Sequence, residues 1–368
     1  MAEDGGRDIE AKFRAALARA ATGPDRVDRR IKNILHGDVP TFMEAPRLRD
    51  TTRADVIVFG LPYEGVKILD PLTFVPATAE LQRPIYARSG ADLAPDAIRR
   101  NSIYYSLDHS GGMFHERERG LRIADHLGVA DAGNLPVDHD APAEETLHAA
   151  CARIVDAIGD QAVPIIVGGD DTVPYVGVRA AATQRKARLA VLKLDSHFDL
   201  SWEPRYWAGS QWARCMEAGC LAPENLAIVG IRGLRNSVAW YETARELGVR
   251  FWTMQEIEER GIVEVTRAAL AAICAGCDFL YLSLDLDVVD PAFLPAQKYP
   301  DPAGLTARET LRALRTAIDE GPPLCGFDMA CLGPDFDING LGAQLAARCA
   351  VEVIGGLALK RAEETISV

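Results

Sequence analysis

The chain has no uninterrupted run of 18 or more apolar residues, which excludes an obvious membrane-spanning segment from a reading of the sequence. Positive charge is short as well. Forty Lys and Arg stand against 53 Asp and Glu, and the resulting net charge of -13 disfavours nucleic acid and anionic membranes as partners. The same excess mildly favours a cationic substrate, and it equally suits an ordinary cytosolic protein. The first residues, Met1-Ala2-Glu3-Asp4-Gly5-Gly6-Arg7, lack an apolar core, which argues against a signal peptide and for a cytoplasmic location. There is no internal repeat or low-complexity tract. The eight cysteines are scattered through apolar segments and are expected to be reduced. Cys274-Ala275-Gly276-Cys277 has the spacing of a redox or zinc pair, but no second pair accompanies it, so it reads as a turn.

What is present is enough apolar residue, 48%, to build a full-sized core in 368 residues. Residues 8–36 read as two helices broken at Thr22-Gly23-Pro24. They suggest an N-terminal arm over residues 1–45, for oligomerisation, ahead of a main domain over residues 46–368. From residue 55 short apolar runs alternate with helical stretches. The runs are Val56–Leu61, Val163–Val167, Leu189–Leu194, Leu226–Ile231, Val249–Trp252, Phe279–Leu284 and Leu324–Met329. Near-continuous apolar strands separated by helices predict a mostly parallel, doubly wound sheet covered on both faces, a three-layer α/β/α fold. In such a sheet the site lies beyond the carboxyl ends of the strands. The Pro-rich stretch from Glu64 to Gly90 is long and irregular, as functional or interfacial loops are.

Acidic residues stand at three of those ends: Asp170-Asp171, Asp195-Ser196-His197-Phe198-Asp199, and Asp285-Leu286-Asp287. Alternate residues of an extended segment point the same way, so Asp195, His197 and Asp199 are expected to converge while Ser196 and Phe198 face away. By the same parity Asp285 and Asp287 point together. Several carboxylates and one imidazole form a donor set suited to divalent metal ions. Five other histidines, His109, His115, His126, His139 and His148, lie far from the strand ends in sequence and read as peripheral.

These motifs resemble those of the ureohydrolases, the arginases and agmatinases. The resemblance rests on Asp195–Asp199, on Ser283-Leu284-Asp285-Leu286-Asp287-Val288-Val289-Asp290-Pro291 and on Gly168-Gly169-Asp170. Smaller echoes are Val229-Gly230-Ile231-Arg232-Gly233, Thr41-Phe42-Met43 and Gly304-Leu305-Thr306. It spans about residues 40–360 and is closer to agmatinases. It implies the arginase fold and two divalent ions, manganese or nickel, bridged by hydroxide, with one ion or none if the centre is degenerate. On this resemblance Asp195 and Asp285 would bridge the ions. His197 and Asp287 would complete one shell, and Asp199 and Asp171 the other. Water held between two such ions attacks a guanidinium carbon, releasing an amine and urea. No side chain stands out as catalytic in its own right; Asp287 is the remaining candidate, through the hydroxide held by the ions.

Three positions depart from the family pattern. Asp171 replaces a histidine, as a metal ligand or as a cap on the next helix. Ala208, in Trp207-Ala208-Gly209-Ser210, stands where a proton-carrying histidine is usual. Cys331 takes the place of the glutamate that grips the guanidinium, and Asp335 or Asp337 nearby are the available substitutes for substrate binding. Losses of three different kinds favour a supporting subunit beside a catalytic, homologous ureohydrolase chain, in a trimer or hexamer. The two-subunit metformin hydrolases and the guanidine hydrolases look like its relatives. The alternatives are a self-sufficient hydrolase of a guanidine-type compound with an altered pocket, and, more distantly, a deacetylase with one zinc ion.

Overall fold

The computed structural model describes residues 38–51, 54–65, 90–107, 113–114 and 121–366. The two expected N-terminal helices, most of the Pro-rich stretch, His109 and His115 lie outside the described residues. The strands are β1 (Val56–Leu61), β2 (Met113–Phe114), β3 (Leu121–Arg122), β4 (Val129–Asn134), β5 (Val163–Gly168), β6 (Leu189–Leu194), β7 (Leu226–Ile231), β8 (Arg250–Thr253), β9 (Phe279–Asp285) and β10 (Leu324–Ala330). Eight of them form one sheet in the order β4-β1-β5-β10-β9-β6-β7-β8, parallel throughout, and β2 and β3 form a separate antiparallel pair. This is the expected α/β/α architecture.

Apolar side chains on both faces of each strand explain it. In β6, Ala190, Leu192 and Leu194 enter one core layer, while Leu189 and Val191 enter the other, with Trp212 and Tyr281. Helices cover both layers. Several begin with strong local signals, such as the reciprocal caps Thr253–Glu256 and Thr306–Glu309. The last helix, Leu341–Ile366, is long and apolar enough over Leu341–Thr365 to cross a membrane by composition. Of its apolar 18-residue stretch, 72% is buried within the chain, where the helix packs on Ala307–Glu320 and Ala94–Ser102. Its charged Glu352 is held there by Arg315 at 2.7 Å and Arg348 at 2.9 Å.

β4 is not evident from the sequence, because Val-Ala-Asp-Ala-Gly-Asn has little strand character. Long-range bonds secure it. Asp131 accepts from Arg99 Nε at 2.8 Å and from the Phe42 backbone at 2.6 Å. Phe42 and Met43 are themselves buried in the main core. The Cys274–Cys277 stretch is a turn after the helix Ile262–Ile273, with the Cys277 N–H donating to the Cys274 carbonyl.

Candidate metal centre

The four neighbouring central strands β5, β10, β9 and β6 deliver the residues singled out above, from their carboxyl ends. β6 stops at Leu194, and residues 195–199 are not regular strand. Strand parity therefore does not govern this segment. Phe198 faces away as expected, edge-on to Phe251 at 5.0 Å. Ser196 does not. Its hydroxyl donates to Asp287 Oδ1 at 2.6 Å and lies 3.1 Å from His197 Nδ1. Asp195 folds back to accept the His197 N–H at 2.6 Å, and Asp199 adopts a left-handed φ of 50°, which aspartate tolerates.

The second cluster is also shaped by a turn. Asp285 ends β9, Leu286–Val288 forms a single 3₁₀ turn, and Asp285 Oδ1 accepts the Asp287 N–H at 2.8 Å. The loop after β7 fastens both clusters. Arg232 donates to the carbonyls of Asp287 and Val288, while Asn236 bridges the Ser196 carbonyl and the Phe198 N–H.

After β5 the two aspartates divide the work. Asp170 is the structural one, accepting from the Thr172 N–H, the Thr172 hydroxyl and the Gly65 N–H. Asp171 is thereby left to turn inward rather than cap the helix Val173–Arg185. Gly169 makes this turn feasible, since a Cβ there would lie 1.8 Å from the Tyr63 carbonyl oxygen.

All six expected ligands are buried at one place. Donor atoms of Asp195, His197 and Asp287 lie within 4.8 Å of one another, as do those of Asp171, Asp195 and Asp199, and those of Asp171, Asp285 and Cys331. A seventh residue, read from sequence only as part of an apolar strand, sits among them. Lys193 is fully buried; its ammonium is 2.5 Å from Asp171 Oδ1 and 3.6 Å from Asp195 Oδ2, and 5.7 Å from the centre of the Trp212 ring. Gln211, also buried, donates from Nε2 to Asp171 Oδ2 and, at 2.9 Å, to Asp199 Oδ2. The signal for Lys193 was present, since a lysine inside a strand buried on both faces must find a counter-charge.

The electrostatics follow from burial and crowding. Burial raises Asp199 and Asp285 well above the usual carboxylate range, and their acidic neighbours add to the shift. Asp195 is pushed to about 8 by burial against the pull of Lys193, with Asp287 and Asp171 raising it further. Asp171 is also raised by burial, with Lys193 opposing. Burial would depress Lys193, but Asp171, Asp195, Asp285 and Asp328 outweigh it and keep the ammonium charged. Asp287 goes the other way. Despite burial, His197 and the Ser196 hydroxyl hold it at about 2.

A cleft of about 200 Å³ opens onto this centre. Asp171, His197, Asp199, Asp285, Asp287 and Cys331 line its floor, with Glu203, Trp207, Arg235, Trp240 and Tyr299 among the residues around them. Sequence reasoning singled out only Trp207 among these wall residues, because Glu203, Arg235 and Tyr299 come from loops with no pattern of their own and Trp240, from the helix Val238–Leu247, gives no separate signal. Cys331 does line the cleft, at a positive φ of 69°, and burial raises its thiol well above its ordinary value, so it offers no anion to a guanidinium. Ala208 lines it too. Asp335 does not. It is exposed on the 3₁₀ turn Pro334–Phe336, and Asp337 is spent on the Gly342 and Ala343 N–H groups, so neither replaces the expected clamp. His139 stacks on Tyr63, and His148 contacts Tyr175 and Arg179, both away from the cleft.

A divalent ion suits one half of the centre. Asp195 Oδ2 and Asp287 Oδ2 are buried and accept no hydrogen bond among the described residues. Asp287 Oδ2 is 3.0 Å from His197 Nδ1, close enough for the two to face one ion. The Asp171 and Asp199 half fits an ion poorly, because Lys193 and Gln211 already hold its oxygens.

The arginase family model matches residues 55–355. Proclavaminate amidinohydrolase of Streptomyces clavuligerus is 30% identical over 325 residues, covering 87% of this chain and 93% of that protein. Guanidinopropionase of Pseudomonas aeruginosa is 30% identical over 327 residues, covering 86% and 91%. The solved structure of the S. clavuligerus enzyme superposes with a TM-score of 0.71 at 28% identity, covering 87% of this chain and 97% of that one. The strand-end carboxylates, the parallel sheet and these matches agree: the chain belongs to the arginase family.

Proposed function

We propose that this chain is a divergent, agmatinase-like subunit of a heteromeric hydrolase that cleaves a guanidine or biguanide compound to urea and an amine. In this reading the chain itself is supporting rather than catalytic, and its partner is a homologous ureohydrolase chain. The observation that carries the reading is Lys193, whose ammonium lies between Asp171 and Asp195 where the family resemblance implies an ion. Cys331 in place of a carboxylate clamp supports it, because a neutral buried thiol cannot pair with a guanidinium. The relatives named as an amidinohydrolase and a guanidinopropionase support the substrate class.

The chain's own residues keep a supporting role coherent. The cleft persists, with Trp207, Trp240 and Tyr299 among its lining. Arg235 stacks 4.9 Å from the Tyr299 ring and fixes one wall. A second reading, a self-sufficient hydrolase, is favoured by one feature: the unpartnered oxygens of Asp195 and Asp287 beside His197. The experiment is direct. The purified chain is supplied with manganese or nickel, and urea release is assayed from guanidine, agmatine, guanidinobutyrate and metformin. No turnover alone, with turnover on co-expression with a homologous ureohydrolase chain, is the expected result. Turnover by the chain alone would establish the second reading.

A further inference from the structure

We infer that the Lys193 ammonium is a built-in cation standing in place of one of the two ions, so that this chain binds a single divalent cation, held by Asp195, His197 and Asp287. Three observations converge on this. First, Lys193 has nowhere else to go. It projects from the central strand β6, has no solvent exposure, and is enclosed by Asp171, Asp195 and the Trp212 ring. Second, both oxygens of Asp171 and one of Asp199 already accept from protein donors, Lys193 and Gln211. An ion among Asp171, Asp195 and Asp199 would have to displace a buried ammonium and a buried amide together. Third, Asp195 Oδ2 and Asp287 Oδ2, each completely buried, accept no hydrogen bond among the described residues; Asp195 Oδ2 has only the longer 3.6 Å contact with Lys193, and both lie within reach of His197.

Charge alone does not decide the matter. Five carboxylates, Lys193 and two dications would sum to neutrality. What disfavours the second ion is occupancy: both Asp171 oxygens already accept N–H donors, and the Lys193 ammonium fills the space between Asp171 and Asp195 that the ion would take. Asp171 and Lys193 thus form one device. A carboxylate that would otherwise call for a metal is matched instead by a lysine near the end of β6, across β10 and β9 from β5, and the ion count falls by one. The inference stands apart from the question of catalysis, because ions are counted without turnover.

The test is a metal titration of the full-length chain, stripped with chelator and reloaded with manganese. Native mass spectrometry counts the ions, and electron paramagnetic resonance distinguishes an isolated Mn²⁺ from an exchange-coupled pair. The wild-type chain should saturate at one ion with an uncoupled spectrum, and Lys193→Met should take up a second ion and show coupling. Asp287→Asn should lose the single ion while keeping the wild-type circular dichroism spectrum, which keeps the test decisive if Lys193→Met does not fold. Two ions on the wild-type chain, none on it, one only on a folded Lys193→Met chain, or one retained by Asp287→Asn would each overturn the inference.

Discussion

The two halves of the centre are built from the same chemistry and end in opposite states. On one side Asp195, His197 and Asp287 converge, with one oxygen of each aspartate accepting no hydrogen bond among the described residues. On the other, Asp171 and Asp199 converge just as closely, and their oxygens are taken by Lys193 and Gln211. Carboxylate clustering is therefore insufficient to define a metal site. What distinguishes a site from a salt-bridged core is whether protein donors have already used the lone pairs.

The largest effect should come from removing the built-in cation. Lys193→Met leaves Asp171 buried beside other acids without a counter-charge. It should destabilise the metal-free chain by roughly 3–5 kcal/mol in denaturant melts, with much of the loss recovered on adding manganese. A loss under about 1 kcal/mol would mean that the pair contributes little.

The halves should also separate by pH. Asp195 sits at about 8 against an ordinary 3.8, so between those values the folded chain keeps a proton that the unfolded chain has lost. Stability of the metal-free chain should then fall as pH rises through that window, and Asp199 and Asp285, raised in the same direction, should deepen the fall. Asp287 carries the opposite sign. Held at about 2, it contributes stability above the ordinary carboxylate value that is lost as pH drops toward 2. Thermal melts of chelated protein across this range would show the trend, and a midpoint rising toward pH 8 would contradict it.

Smaller effects sharpen the contrast. Gln211→Leu removes the amide bridging Asp171 and Asp199 and leaves buried oxygens unsatisfied, at a cost of about 2 kcal/mol in the same melts. Ser196→Ala, on the open side, removes one hydrogen bond to Asp287 and should cost about 1 kcal/mol or less once an ion is bound. If Ser196→Ala proved the more damaging, the assignment of open and closed halves would be reversed.

Much of this was legible beforehand for identifiable reasons. Seven apolar runs announced seven strands of the sheet because parallel strands are buried on both faces, and acids at their ends marked the rim where ligands bind. β4 stayed hidden because its stability comes from Arg99 and Phe42, both more than thirty residues away, rather than from its own side chains. Strand parity failed at Asp195–Asp199 because β6 ends one residue earlier, so Ser196 turns toward Asp287. The division between Asp170 and Asp171 depends on bonds to Thr172 and Gly65 that spacing cannot reveal. Lys193 was visible as a charged residue in an apolar strand, but its meaning needed the carboxylates at its own strand end and at the ends of β5 and β9 in view.

The most direct measurement is the anomalous diffraction of a crystal of the full-length chain grown with excess manganese. One anomalous peak is predicted, bounded by Asp195, His197 and Asp287, with the Lys193 amine still bonded to Asp171. Two peaks, the second among Asp171, Asp195 and Asp199 with Lys193 displaced, would contradict the account.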